Sequence, residues 1–258
     1  MRIDLSGKRV LVTGGSGGIG AAVSRAFGRA GARVAVNYVG NAGAADALVE
    51  EIGPERAMAI AADVSDEAQV EAMFARIGSA WGGLDVLLNN AGIETHATPA
   101  WELAPSEWRK ILEVNLTGAF LCARLALRGM IEQRSGVIIN TTSVHEVIAW
   151  SGHSAYAASK AGLAMLTRTL AQEASPHGVR VLNLAPGAIR TPINEDVWQS
   201  EGGREDLLSK IPLGRIGEPD EVAGMAVVLA SDIARYLTGT TVFVDGGMTD
   251  YPSFRHGG

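Results

Sequence analysis

A chain of 258 residues, 47% of them hydrophobic, has enough apolar material for one large α/β domain without a disulfide or metal staple. Its net charge of −6 offers no basic stripe for nucleic acid, and no run of about 18 apolar residues suggests a membrane span. The single cysteine, Cys122, cannot form an intrachain disulfide, the five histidines show no metal-ligand spacing, and Met1–Lys8 has no apolar leader core, so a metal-free cytoplasmic protein is expected.

Strand and helix patterns alternate along the chain. Arg9–Thr13 is a short β-branched run, followed by an Ala-rich helix pattern over Ile19–Ala30. Arg33–Asn37 reads as a strand, Ala44–Ile52 as a helix, Ala57–Ala61 as a strand and Glu67–Trp81 as a helix. Leu84–Leu88 is a strand that ends at Asn89-Asn90-Ala91-Gly92. One long helix is predicted over Ser106–Gln133, then a strand at Val137–Asn140, a helix at Ala155–Ser175 and a strand at Val179–Leu184. Pro219–Ala230 reads as a helix and Thr241–Val244 as a last strand. Between them, Thr191–Pro212 has weak periodicity and reads either as a substrate lid or as a helical excursion. The strands are near-continuous apolar runs, which belong to parallel strands covered on both faces. The expectation is a doubly wound α/β/α fold, with residues 1–258 forming a single dinucleotide-binding domain. Its ligand would lie beyond the carboxyl ends of the strands.

Thr13-Gly14-Gly15-Ser16-Gly17-Gly18-Ile19-Gly20 joins the first strand to the first helix. Glycine permits close backbone approach, and a helix N-terminus attracts a pyrophosphate, so Gly14, Ser16, Gly18, Ile19 and Gly20 are candidate cofactor contacts. The second strand ends Asn37-Tyr38-Val39-Gly40, and Asn37 and Tyr38 are candidate cofactor contacts there. No acid stands there to exclude a 2′-phosphate and no arginine stands there to clamp one, so both NAD and NADP are expected to bind, with a lean to NAD. Asp63, followed by Val64, closes the third strand and could accept from the adenine amino group or cap the next helix.

Tyr156-Ala157-Ala158-Ser159-Lys160 puts a phenol and an ammonium one helical turn apart. The ammonium is expected to lower the phenol pKa, so that Tyr156 can act as acid/base in hydride transfer. Ser143, at the end of the preceding strand, could hold the reacting oxygen.

Thr13–Gly20, Asn89-Asn90-Ala91-Gly92, Asn115, Ser143, Tyr156, Lys160 and Pro186-Gly187 together resemble the short-chain dehydrogenase/reductase pattern over nearly the whole chain. The resemblance implies seven parallel strands and a homotetramer. It implies a catalytic tetrad in which Lys160 binds the nicotinamide ribose and Asn115 holds a water of a proton relay. It places Asn90, Ala91 and Gly92 at the adenosine side. Pro186, Gly187, Ile189 and Thr191 fall along the nicotinamide. Local strings resemble bacterial glucose 1-dehydrogenases: Gly92-Ile93-Glu94, Ser143-Val144-His145-Glu146, Pro186–Asn194, and the tail from Asp245 to Phe254. This implies oxidation of β-D-glucose or a related aldose at C1 to the lactone.

A sugar pocket needs several short polar groups, and Glu94, His145, Glu146 and Asn194 lie on loops that follow strands. Trp150 and Trp198 are candidate walls. Arg190 suits either an anionic sugar substituent or the open surface. By the same resemblance, Tyr251–Gly258 would pack at a subunit interface. Two other readings stand beside this one. A 3-oxoacyl-carrier-protein reductase shares the tetrad but would want a basic docking patch. A non-catalytic dinucleotide sensor would not need all four catalytic positions.

Overall fold

A computed structural model of the chain describes residues 3–191 and 201–250. Seven parallel strands form one sheet in the order β3-β2-β1-β4-β5-β6-β7. They are β1 Arg9–Val12, β2 Arg33–Tyr38, β3 Ala57–Ala61, β4 Val86–Asn89, β5 Gly136–Thr141, β6 Val179–Pro186 and β7 Thr241–Val244. The order reverses between β1 and β4, which opens a crevice at the carboxyl ends of those strands, where a doubly wound sheet binds its ligand.

Helices cover both faces: α1 Gly18–Arg29, α2 Ala42–Ile52, α3 Glu67–Trp81, α4 Pro105–Leu112, α5 Gly118–Glu132, α6 Ser154–Ala174, α7 Glu201–Ser209 and α8 Pro219–Ala230. Alternate strand residues enter two separate cores. Val10, Val12, Val34, Val36, Leu182 and Leu184 pack with α1, α2 and α8. Leu11, Ala35, Leu87, Ile138 and Val181 pack with α3, α5 and α6. Both faces of each central strand are therefore apolar, which explains the unbroken runs in the sequence. Each fully buried Leu, Ile, Val or Phe, such as Leu11 or Phe27, contributes about 1.5–3 kcal/mol.

The long helix expected over Ser106–Gln133 is interrupted. α4 passes into a π-helical turn at Glu113–Thr117, closed by the Gly118 amide on the Glu113 carbonyl, before α5 continues. The turn bulges at Asn115, and Gly118 lets the chain pass close to Val64, 2.8 Å from where a Cβ would stand. Pro105–Glu132 is long and apolar enough to cross a membrane by composition, contrary to the sequence expectation. It packs on the sheet instead, burying Leu121, Cys122, Ala126 and Met130. Burial also pushes the Cys122 thiol up to about 12, so it is an inert core residue. The weakly periodic stretch at 191–212 contains α7; residues 192–200, with the expected contact Asn194 and the expected wall Trp198, lie outside the described residues, as does the tail from Tyr251.

Candidate active site

The glycine loop turns because glycines occupy left-handed positions, Gly14 at φ 59° and Gly18 at φ 50°. A Cβ on Gly20 would stand 2.2 Å from the Gly14 carbonyl oxygen, so only glycine lets α1 begin this close to β1. The first turn of α1 has no acidic residue, and its N-cap, Gly17, supplies no side-chain bond. By contrast, α2 is capped by Asn41, α3 by Asp66, and α8 by a Glu218/Glu221 capping box. The opening N–H groups of α1 thus have no side-chain cap and present a positive dipole end to the crevice. A Cβ on Gly17 would meet nothing within 4 Å among the described residues, which leave the loop open on that side. This cradle fits a dinucleotide pyrophosphate.

Two residues expected to touch the cofactor have their side chains engaged in shaping the loop. Asn37 is 1% exposed. Its Oδ1 accepts from the Gly14 amide, and its Nδ2 donates to the carbonyls of Ile60 and Ala62. Asn90 Nδ2 donates to the carbonyls of Thr13 and Gly14, and the amides of Asn90 and Ala91 donate to Thr13 Oγ1. Both side chains hold the loop to its neighbours, leaving Tyr38 as the partly exposed side chain at the end of β2. Asp63 accepts from the Ser65 amide and hydroxyl, and the cap of α3 is Asp66. Thr191 comes back over the loop, 3.7 Å from where a Cβ on Gly18 would stand. Ile189 is buried. Gly187 lies against Asp245, whose Cα would stand 2.8 Å from a Cβ at that position.

Ser143 lies two residues beyond β5 and caps a 3-10 turn at Val144–Glu146, its hydroxyl accepting from the His145 amide. Tyr156 lies in the first turn of α6 and Lys160 one turn further on. The Lys160 ammonium donates to the Thr141 carbonyl at 2.8 Å and stands 5.6 Å from the centre of the Tyr156 ring. Asn115 completes the set, but its side chain is fully engaged. Its Oδ1 accepts from the Ile93 amide, and its Nδ2 donates to the Ile93 carbonyl and Ser159 Oγ. It ties the loop after β4 to the π turn and α6. Gly92 lines the space between, with a Cβ position 3.5 Å from Lys160 Nζ.

The electrostatics differ from the sequence expectation. Burial drives the Tyr156 phenol up to about 12, against a downward pull from its hydrogen bond with Ser143 and with a further upward push from Glu94. Lys160 is itself pushed down to about 8 by burial, countered by Glu146 and then Glu94. Desolvation outweighs the bond with Ser143, and the phenol keeps its proton at neutral pH.

Three rings stack beside the phenol. The Trp150 indole lies between His145, at 4.3 Å, and His153, at 3.7 Å, and meets the Tyr156 ring edge-on at 5.9 Å. His145 also meets Tyr156 edge-on at 6.3 Å, and its Nδ1 pairs with the Ile148 carbonyl. Burial lowers the pKa of both imidazoles. Glu94 is partly buried; burial raises its pKa while Lys160 lowers it. Glu146 departs from the expected substrate contact. One carboxylate oxygen accepts from Thr241 and the other is buried without a hydrogen-bond partner among the described residues, so the group is turned into the protein. Arg190 pairs with Glu218 at 3.4 Å.

The geometry defines a class, a dinucleotide-dependent oxidoreductase with a Ser-Tyr-Lys centre. The family model described as enoyl-(acyl carrier protein) reductase matches residues 14–249. The chain belongs to this family, within the short-chain dehydrogenase/reductases. It is 47% identical to 3beta-hydroxysteroid dehydrogenase 1 of Eggerthella lenta, over 98% of both chains. It is 40% identical to glucose 1-dehydrogenase 2 of Bacillus subtilis, over 97% of this chain and 98% of the relative. Among solved structures, a gluconate 5-dehydrogenase from Burkholderia cenocepacia, in complex with NADP and tartrate, superposes with a TM-score of 0.91. That structure is 35% identical, with 96% of this chain and 98% of that chain covered.

Proposed function

We propose that this oxidoreductase, with NAD or NADP, oxidises a hydroxyl of a polyhydroxylated, sugar-type substrate, with C1 of β-D-glucose as the leading case. The observation that carries the substrate class is Glu94. Its partly buried carboxylate acts electrostatically on both Tyr156 and Lys160. A desolvated carboxylate beside the reacting carbon needs hydroxyl donors, which a polyol supplies around its reacting position. His145 offers a further polar group on the same side. A carrier-protein-linked substrate is disfavoured by the net charge of −6, which would repel an acidic carrier.

The dinucleotide would be held by Gly14, Ser16, Gly18, Ile19 and Gly20 at its diphosphate. Tyr38, Asp63, Val64 and the backbone of Asn90–Gly92 would lie along its adenosine. Pro186, Gly187, Ile189, Thr191 and Lys160 would lie along its nicotinamide half. Bound and oxidised, it supplies the hydride acceptor. Ser143 donates to the substrate oxygen and orients it toward Tyr156. Tyr156, once its own proton has passed to solvent under the pull of Lys160 and the positive nicotinamide, would take the hydroxyl proton as phenolate while the carbon–hydrogen bond breaks. Lys160 keeps a positive charge beneath the phenol. Asn115 fixes the floor of the site, and a relay water would have to use its backbone because its side chain is already paired. The reading includes a cytoplasmic homotetramer with the tail from Tyr251 at a subunit interface, and a substrate-facing role for the segment that includes Asn194.

A second reading, oxidation of a 3β-hydroxysteroid, is favoured by the 47% identity to the Eggerthella lenta enzyme. Dinucleotide reduction followed against β-D-glucose, other aldoses, gluconate and a 3β-hydroxysteroid separates the two. The expected result is turnover of an aldose or sugar acid, with Glu94→Gln raising its KM about 10-fold or more. Turnover of the steroid alone, unaffected by Glu94→Gln, would overturn the sugar reading.

A further inference from the structure

The inward-turned carboxylate of Glu146 ends a chain of buried and partly buried side chains that crosses half the sheet. Asn89, Asn140, Asn183 and Thr241 are register partners on β4, β5, β6 and β7. Asn89 Nδ2 donates to Asn140 Oδ1 at 2.9 Å, and Asn140 Nδ2 donates to Thr167 of α6 at 2.7 Å. The Thr167 hydroxyl donates to Asn183 Oδ1, and Asn183 Nδ2 donates to Thr241 Oγ1 at 3.0 Å. The Thr241 hydroxyl donates to Glu146 Oε1 at 2.7 Å. Each hydroxyl has one proton, so every link points toward Glu146, as a chain that ends on an acceptor-only group must. The three asparagines and Thr167 are at most 4% exposed and Thr241 and Glu146 are partly buried, so most of the chain lies away from water, where hydrogen bonds reinforce one another.

This chain fixes Glu146 at the end of the turn that Ser143 caps, with the Glu146 amide donating back to the Ser143 carbonyl at 2.9 Å. Its second oxygen is buried and accepts no hydrogen bond among the described residues. A carboxylate taken out of water needs a positive charge in compensation. The cation of this site is Lys160, 4% exposed, which donates to the Thr141 carbonyl. On α6 Lys160 lies beneath Tyr156; the carboxylates that act on it through space are Glu94, on the loop after β4, and Glu146, on the turn after β5, while burial keeps His145 and His153 neutral at pH 7.

Resting on the dehydrogenase reading, we propose that Glu146 is a positioning residue: held by the cross-sheet chain, it keeps Lys160 charged beneath Tyr156 and pins the turn that carries Ser143. It acts through Lys160 and Ser143 and does not touch the substrate. Of the charges acting on Lys160, Glu146 is the larger and Glu94 the smaller.

The test reads Lys160 directly, without substrate or turnover. The chain has four lysines, so NMR of protein labelled at lysine Cε, with Lys160→Met to assign the signal, follows this ammonium through a pH titration. Glu146→Gln keeps an oxygen for Thr241 and removes the charge. The expected result is a Lys160 titration shifted about one pH unit or more below the native one. Glu146→Met removes the charge and the polar atoms together, and is expected to give the same shift should the amide variant not fold. A Lys160 titration unchanged in a folded variant would overturn the inference. Failure of the dehydrogenase reading would show separately, as native-like turnover in Tyr156→Phe.

Discussion

Tyr156→Phe is expected to lose about 10³-fold in kcat/KM while folding and binding dinucleotide normally. The phenyl ring keeps the edge contacts to Trp150 and His145, at 5.9 and 6.3 Å, so the local packing survives. What disappears is the group placed to exchange a proton with the substrate oxygen beside Ser143. Proton transfer by a positioned side chain contributes about 10²–10⁴-fold, and the full loss is expected because Ser143 has no path to take over. Steady-state kinetics with the best substrate, alongside melting and dinucleotide titration, checks this. Because the phenyl ring keeps these packing contacts, the melting temperature should hardly fall.

Lys160→Met is expected to separate activity from stability. Turnover should fall about 10²-fold or more, since the phenol loses the positive charge beside it. Stability should rise. The ammonium titrates at about 10.5 when solvated and at about 8 when buried here, a difference worth roughly 3 kcal/mol against the folded state below pH 8. Loss of the bond to the Thr141 carbonyl offsets part of that, leaving about 1–2 kcal/mol, or a few degrees in Tm. The pH dependence has a definite sign. Between about pH 8 and 10.5 the unfolded chain holds a proton that the folded chain has released, so native stability rises with pH across that window. The advantage of Lys160→Met should therefore be largest near pH 7 and shrink by pH 9.5. Melting curves of both proteins over that range provide the check.

The fold is largely legible in the sequence because its rules are local. β3, α3, α8 and β7 fall where periodicity places them, and the paired cores on the two sheet faces account for strands without polar alternation. The π turn at Asn115 is not legible: one extra residue in a turn barely disturbs an apolar helix pattern that continues on both sides. α7 is ambiguous because Gly202 and Gly203 lower its helix propensity. In the site, Tyr156, Lys160, Ser143 and the glycine loop can be read from spacing. The roles of Asn37, Asn90 and Glu146 cannot. Each is a polar residue at or just beyond a strand end, where a ligand contact is the natural expectation. The partners that claim their side chains lie 23 to 95 residues away in the chain. The direction of the Tyr156 shift is also hidden. Sequence shows the neighbouring charge but not the depth of burial that opposes it.

In the proposed reaction the Tyr156 hydroxyl is the acid/base and would lie against the bound nicotinamide. The most direct measurement is the phenolate absorbance of the native protein minus that of Tyr156→Phe, titrated with and without oxidised dinucleotide. The difference isolates one of the four tyrosines. Without dinucleotide the phenol should titrate near 12. With it, the positive nicotinamide should bring the titration down by about two units, so that phenolate is seen near pH 9–10. Identical curves in the two conditions, with dinucleotide demonstrably bound, would contradict the account.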